Sequence, residues 1–591
     1  MRRLATVFSI VLLGIIGIWY TNSHQADQYR GQSQMSMMQQ QALDQVMAED
    51  LAITTSMFID QLRNQLLRWS ERDLSNEEFV EKFQEELIKH HHFEAFAVVN
   101  GEKFESIAGE LHQQDLEKLT NSIDGLDSSD PYTKNGNEYM LVGCNLENGK
   151  KVIGEVDLSF VKKYVRDLAH VVDANGNLFI GGKDTELEFE GEGIHRYGAK
   201  QQVPELGWNI VVQSDPNAVD ADPHYIEHEV IISFAEGVNG RQWIEHSPLT
   251  LVKNGGPYYV VRDETRPTDQ MVYELSLLEE VDTVEPNYIV TKQAQVPFVR
   301  RQGDLVPNDE FYEQYQWNLS QIFAEIGWNI TGGGEDVPIA ILDSGVDPNH
   351  EDLQDRILMG YNAFKDDGEF YDEHGHGTHV AGIAAAATNN VLGIAGVSWH
   401  NPLMPVKVLN EKAEGTAFEV ANGIRWATDN GAKVINMSLG DTYNSRIMHD
   451  AIRYAFRNDV VLIAASGNDN VETPMFPAAY DEVIAVSAVD SKRHKAIFSN
   501  YGRHIDVTAP GEHIPSTFLD NSYVMMSGTS MAAPHVAGLA GLIRSINPEL
   551  SNVEVAEIIR STANDIGPAG FDPYYGFGEI NVVKALQELR N

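Results

Sequence analysis

Three stretches far apart in the 591-residue chain carry residue types that could do chemistry. Val337-Pro338-Ile339-Ala340-Ile341-Leu342 is an apolar run that ends at Asp343-Ser344-Gly345-Val346. A carboxylate at the carboxyl end of a buried strand, beside a glycine turn, sits where open α/β sheets place functional groups. An aspartate that merely caps a helix or turn reads the same way. Further on, Gly375-His376-Gly377-Thr378-His379-Val380-Ala381-Gly382 opens an apolar helical run with a histidine in its first turn. His376 and His379, with His374 as a third, read equally as core residues or metal ligands. Gly528-Thr529-Ser530-Met531-Ala532-Ala533-Pro534-His535 places a serine at the start of a small-residue helix. The unpaired N–H groups and positive potential of a helix amino terminus suit an attacking alkoxide and the oxyanion that follows. Metal binding accounts for the histidines but leaves this last stretch without a purpose.

Asp, His and Ser in that chain order and in those three contexts resemble the subtilisin family of serine proteases (subtilases). The resemblance runs from about Asn308 to Ala585 and is carried by ILDSGVD, GHGTHVAG, GTSMAAPHVAG and the closing YGFGEINVVKAL. It implies an α/β fold of three layers with a mostly parallel central sheet, and a serine endopeptidase acting on proteins or peptides through an acyl-enzyme. It assigns the attack to Ser530, the proton transfers to His376, and orientation of the imidazole to Asp343. Asn468, in Ala464-Ala465-Ser466-Gly467-Asn468, matches the family's oxyanion donor, working with the Ser530 backbone N–H. Ser438, Leu439 and Gly440 match the segment that pairs in strand fashion with substrate, and Ala465 and Gly467 the opposite wall. Backbone pairing of that kind grips any sequence, so broad specificity is expected. Met475-Phe476-Pro477 near the pocket floor would favour an apolar P1 residue, whereas Asp469 would favour a basic one. His379 and His535 read as structural. The polar loop Ala387 to Ile394 resembles the family's calcium site, with Asn390, Asp352 and Asp309 as the Ca2+ ligands.

The rest of the chain must hold or restrain this chemistry. Leu43, Met47, Leu51, Phe58, Leu62, Leu66 and Trp69 recur at steps of about 3.6, which predicts one amphipathic helix over residues 35–70 packed on its own domain. Strand-like runs follow at 95–99, 139–143, 152–156 and 208–212, and Asn175-Gly176 predicts a tight hairpin within 171–180. A long helix before such a strand series resembles, over about 35–215, the Cache-type (PAS-like) α+β sensor domains of bacterial receptors, and so implies a domain at 24–220 with a small ligand. His90-His91-His92 reads as a solvated helix end rather than a metal site. Strands are expected at 230–234, 272–275 and 289–290, and LLEEVDTVEPNYIV (Leu277 to Val290) resembles the end of an inhibitory α+β propeptide spanning 225–295. That resemblance implies a zymogen with its own propeptide as inhibitor. Thr291 to Asp304 is polar and dibasic at Arg300-Arg301, an exposed linker and candidate cleavage region before a catalytic domain at 296–590.

Met1-Arg2-Arg3 followed by the uncharged run Leu4 to Tyr20 predicts one N-terminal membrane helix within residues 1–23. Trp19-Tyr20 ends it without a small-x-small cleavage site, so an uncleaved anchor is expected, with a cleaved signal and secretion as the alternative. The remainder is then extracytoplasmic. Lys plus Arg total 43 against 87 Asp plus Glu, a formal charge of -44 that excludes a phosphate-backbone ligand. One cysteine, Cys144, excludes an intramolecular disulfide and a multi-cysteine zinc site.

Overall fold

The computed structural model describes residues 42–290 and 306–590; within the first span, 67–73, 166–175, 182–198, 215–224 and scattered single or paired positions lie outside the description. In 306–590, seven strands form one sheet in the order Tyr361–Asn362, Leu403–Lys407, Ile339–Asp343, Val434–Met437, Val461–Ala465, Ile484–Val489, Val507–Pro510. Every pairing in it is parallel. Strands covered on both faces must be apolar at every position, and Ile339–Asp343, Val461–Ala465 and Ile484–Val489 are buried throughout. Alternate residues of one strand feed separate cores. Ile339 and Ile341 pack with the helices His376–Ala385 and Thr529–Ile546, whereas Ala340 and Leu342 pack with Ala417–Asp429 and Arg446–Arg457. The result is the expected three-layer α/β arrangement. Chain order reverses at Ile339–Asp343, whose neighbours are Leu403–Lys407 and Val434–Met437, so Asp343 stands at the carboxyl edge of the switch point, where such sheets hold their sites.

Residues 225–290 form an antiparallel sheet in the order Thr250–Gly255, Tyr258–Arg262, Tyr225–Phe234, Val281–Val290. Its last strand extends across to the second region, pairing Ile289 with Thr416 and Val290 with Gly415. The strand expected at 272–275 is instead the end of the helix Thr268–Ser276. Met271 and Leu275, one turn apart, are both buried, and this four-residue period outweighs the strand propensity of Val272 and Tyr273. One sheet face packs on this helix, while Ile231, Tyr258 and Val260 join the core beneath Ala417–Asp429.

Ahead of it, Lys103–Gly109, Phe93–Asn100, Lys151–Asp157, Asn137–Asn145, Leu126–Ser129 and Leu119–Ile123 pair in that order, with Tyr132–Lys134 also on Asn137–Asn145. The strands expected at 95–99, 139–143, 152–156 and 208–212 are all present. Gly176–Gly181 pairs with Trp208–Ser214; the first arm of the expected hairpin lies outside the described residues. The expected long helix is present over residues 42–66. His92 packs edge-on to Phe58 and against Phe93, an aromatic setting rather than a solvated one. Cys144 is buried in this sheet, which pushes its thiol up to about 11. Among the described residues no helix is long and apolar enough to cross a membrane, and the expected anchor lies outside them.

Candidate active site

Asp343 is wholly buried, and its Oδ1 accepts the Ser344 N–H at 2.7 Å and faces His376 Nδ1 at 2.7 Å. Nδ1–H donating to the carboxylate sets the tautomer in which Nε2 carries the lone pair. His376 Nε2 is buried and has no hydrogen-bond partner among the described residues. The imidazole therefore holds an unused base.

Two devices bring the imidazole there. A Cβ on Gly377 would fall 2.1 Å from the Gly345 carbonyl and 3.0 Å from Asp343 Cβ, so only glycine lets this helix meet the strand end. The Gly377 N–H also donates to Ser344 Oγ at 2.9 Å. Asp372 then fixes the helix start. Its Oδ1 accepts the His374 and Gly375 N–H groups at 2.9 and 2.8 Å, and its Oδ2 accepts the Thr378 N–H and hydroxyl at 2.9 and 2.7 Å. A carboxylate at a helix amino terminus satisfies donors the helix cannot. Behind the strand end, buried Lys407 Nζ donates to the Ser344 carbonyl at 2.7 Å.

Ser530 is the second residue of Thr529–Ile546 and is buried. Its Oγ donates to the Ser438 carbonyl at 3.1 Å, and its own carbonyl accepts from Ser438 Oγ at 2.8 Å. Catalytic hydrogen bonds commonly tighten only when substrate is bound. Asn468 spends its Oδ1 on the Thr529 N–H at 3.0 Å and hydroxyl at 2.7 Å. That leaves Nδ2 buried with no partner among the described residues, a donor held ready for an oxygen the protein does not supply. The turn that carries it is held by Asn500, whose Oδ1 accepts the Asp469 and Val471 N–H groups and whose Nδ2 donates to the Ser466 carbonyl. Gly467 takes φ +97° in this turn, with Met475 and Asn500 filling the space a Cβ would need.

Ser438, Leu439 and Gly440 and Ala465 and Gly467 lie at the ends of the adjacent strands Val434–Met437 and Val461–Ala465. Asp441 and Phe476 exchange two backbone hydrogen bonds of 2.9 and 2.7 Å, which draws Met475-Phe476-Pro477 up to the first wall. Asp469 is exposed. His379 Nε2 meets the Val524 carbonyl, and His535 bridges the Met531 carbonyl and Asn318, its pKa lowered by burial to about 4. Both are structural, as expected.

The calcium candidates are brought together. Asp309 accepts the Asn389 N–H at 2.8 Å, and Asp352 accepts from Asn390 Nδ2 at 2.7 Å and from the Ile394 N–H and Tyr523 hydroxyl at 3.0 Å. Burial pushes Asp309 up to about 6 and Asp352 up to about 7. Asp372, Asn500 and Thr529 were missed by sequence reasoning. Asp372 had a signal, an Asx residue just ahead of a Gly-His helix start; Asn500 had none.

A family model described as the subtilase family matches residues 334–578. A thermophilic serine proteinase of Bacillus sp. (strain AK1) is 37% identical over 371 residues, 61% of this chain and 88% of that protein. Thermitase of Thermoactinomyces vulgaris is 42% identical over 281 residues, 48% of this chain and 99% of its own. Fervidolysin from Fervidobacterium pennivorans, a keratinolytic enzyme related to subtilisin, superposes with a TM-score of 0.57 at 26% identity, over 62% of each chain.

Asp372→Ala removes four hydrogen bonds at the start of the histidine helix. It is expected to destabilise the fold by about 1–2 kcal/mol in urea unfolding. Thr378→Ser, which keeps all four bonds and the hydroxyl that accepts the Asp347 N–H, is expected to cost less.

Proposed function

The chain belongs to the subtilase family and is a serine endopeptidase, and from that premise we propose that Asp343, His376, Ser530 and Asn468 carry the reaction. His376 Nε2 takes the Ser530 hydroxyl proton as Oγ attacks the scissile carbonyl. Asp343 holds the tautomer and stabilises the imidazolium; the same proton then goes to the leaving amine, and water resolves the acyl-enzyme by the reverse sequence. Asn468 Nδ2 and the Ser530 N–H receive the oxyanion. The pairing of an unused base on His376 with an unused donor on Asn468, both buried, is the observation that supports this reading. Peptide substrate lies between Ser438–Gly440 and Ala465–Gly467 as an added strand, with an apolar P1 side chain against Met475. Ser530→Ala is expected to abolish casein hydrolysis; retention of wild-type activity would refute the assignment. Asn468→Ala is expected to lower kcat by about 10²–10³, the cost typical of this donor in subtilisins, with KM little changed.

Residues 225–290 act as an intramolecular inhibitor, and self-processing falls within 291–305. Val281–Val290 adding to Gly415–Thr416 supports this. So does Glu285, whose carboxylate accepts the Arg446 N–H at 2.7 Å and also faces Ser445 Oγ and the Ile447 N–H, capping the helix Arg446–Arg457 from outside. Burial pushes Glu285 from 4.5 up to about 7 in this docked state. A carboxyl raised on docking binds its proton more tightly docked than free. The stabilisation is therefore full below the free value and is lost as pH rises through about 7. Release of residues 225–290 from the Arg446 helix start in the cut protein, followed by hydrogen exchange at the Arg446 amide corrected for its intrinsic rate, is expected to be greater at pH 8 than at pH 5, and Glu285→Gln is expected to flatten that dependence.

Asp309, Asp352 and Asn390 hold a structural Ca2+. Two buried carboxylates raised by desolvation, beside an amide and a loop of left-handed residues at Asn389, Val391 and Gly393, form a hard oxygen-rich set that suits this ion. Bound calcium would hold both carboxylates ionised. A chelator is expected to lower Tm, and Asp352→Asn to lower it in calcium buffer and remove most of the chelator effect. The protein works outside the cytoplasm, tethered by its first residues.

A further inference from the structure

The helix over residues 42–66 does not pack on its own domain alone. None of its described residues is exposed, and Asp50, Thr54 and Thr55 are wholly buried. A helix resting on one domain shows its other face to water; this one is covered on both sides. Toward the N-terminal region Phe58 packs on His92 and Gln65 donates to Glu86 of the helix Asn76–Lys89 at 2.7 Å, and on the far side Ala48, Ile59, Leu62 and Leu66 are buried too. The adjoining side, with Asp50, Thr54, Gln61 and Asn64 at steps of three, four and seven, faces the catalytic region. Its apolar residues belong to one continuous core with Tyr523, Met525 and the nucleophile helix.

The contacts on that second side are specific. Asp50 faces His513 Nδ1 directly and accepts from Ser527 Oγ at 3.2 Å, while Glu49 lies 3.7 Å from His513 Nε2. Thr54 Oγ1 accepts the Met525 N–H at 3.0 Å, a backbone donor on the outer edge of the hairpin Ile514–Phe518 and Ser522–Met526. Gln61 donates to the Asn521 carbonyl at 3.2 Å, and Asp60 accepts the Tyr315 hydroxyl at 2.6 Å. The same hairpin grips the histidine helix from within: Ser516 and Thr517 hydroxyls donate to the His379 and Thr378 carbonyls at 2.7 and 2.8 Å. It then runs through Ser527 into Gly528-Thr529-Ser530.

We propose that the outer face of this hairpin, with His513 and Ser527, is a permanent docking surface for the N-terminal region. After cleavage within 291–305 the piece carrying helix 42–66 stays bound, so the mature enzyme is a two-chain complex. The inference rests on the processing proposed above, but its interface does not. An inhibitor strand must vacate its site, which at Ile289 and Val290 is Thr416 and Gly415, while still tethered to its own fragment; helix 42–66 binds a different surface, through buried polar pairs, and its departure would strip the Met525 N–H and His513 of their partners. A retained helix ties the N-terminal sheet to the segment that positions both His376 and Ser530.

The test uses the full chain carrying Ser530→Ala and an engineered site for a foreign protease within 291–305, cut in solution and examined by size exclusion with intact-mass analysis. The fragment bearing residues 42–66 is expected to co-elute with the catalytic fragment. Elution of the two apart would overturn the proposal. Asp50→Ala with Thr54→Val is expected to cause loss of the fragment from the catalytic peak. Undiminished retention would assign the hold to residues 225–290 and equally overturn it. Should that double variant fail to fold, Thr54→Val alone is read by hydrogen exchange, with faster exchange expected at the Met525 amide and an unchanged rate counting against the contact. Self-processing is read separately in the chain with Ser530 intact, where absence of any cut within 291–305 would sink the zymogen reading and leave the interface result standing.

Discussion

A buried carboxylate facing a buried imidazole at 2.7 Å is the contact to which the rest of the catalytic region answers. Neither group tolerates such burial alone, since an unpaired charge or an unused polar atom in a dry site is costly. Bringing them together requires a strand that ends at a switch point, a turn at Gly345, and a helix that starts within touching distance of that turn. Gly377 removes the one Cβ that would forbid the approach, and Asp372 neutralises the N–H groups the helix start exposes. Lys407, from the next strand, steadies the Ser344 carbonyl on the far side. The geometry is held from three elements, which leaves the imidazole little freedom.

The acidic excess acquires a distribution through the same logic. Asp343 and Asp372 are spent on the histidine helix, Asp309 and Asp352 on the loop 387–394, Asp50 on His513, and Glu285 on a neighbouring helix start. Glu512 and Glu579 are buried as well, and desolvation pushes them up to about 9 and about 7. Each of these acids sits at a junction between elements. Two of them, Asp50 and Glu285, join regions far apart in the chain, one at the hairpin that leads to Ser530 and one at the start of the helix Arg446–Arg457. The catalytic region is therefore contacted from two sides, by parts of the chain whose proposed fates differ.

Much of the candidate site was legible because its residues sit in local contexts with a physical meaning of their own. A strand end, a glycine-flanked helix start and a small-residue helix each restrict what Asp343, His376 and Ser530 can do. Asn468 was found only through its resemblance to a family position, since an asparagine in a turn has a bland explanation. Asp372 and Asn500 escaped because their partners are backbone N–H groups, which carry no sequence signature. The strand expected at 272–275 failed for a related reason: a four-residue window registers β propensity, but the burial of Met271 with Leu275 decides between periods of two and four.

The sequence by itself determined the catalytic residue types, their order, the calcium candidates and the alternation of apolar runs that builds a parallel sheet. Those follow from local patterns and from spacing along the chain. Only the tertiary structure decided that helix 42–66 has two buried faces, because a sequence period reports one apolar stripe and cannot register polar residues buried against another domain. Asp50 and His513 stand 463 positions apart and meet only in the fold. Their pairing, like the capping of a distant helix by Glu285, depends on which surfaces the folded regions present to one another.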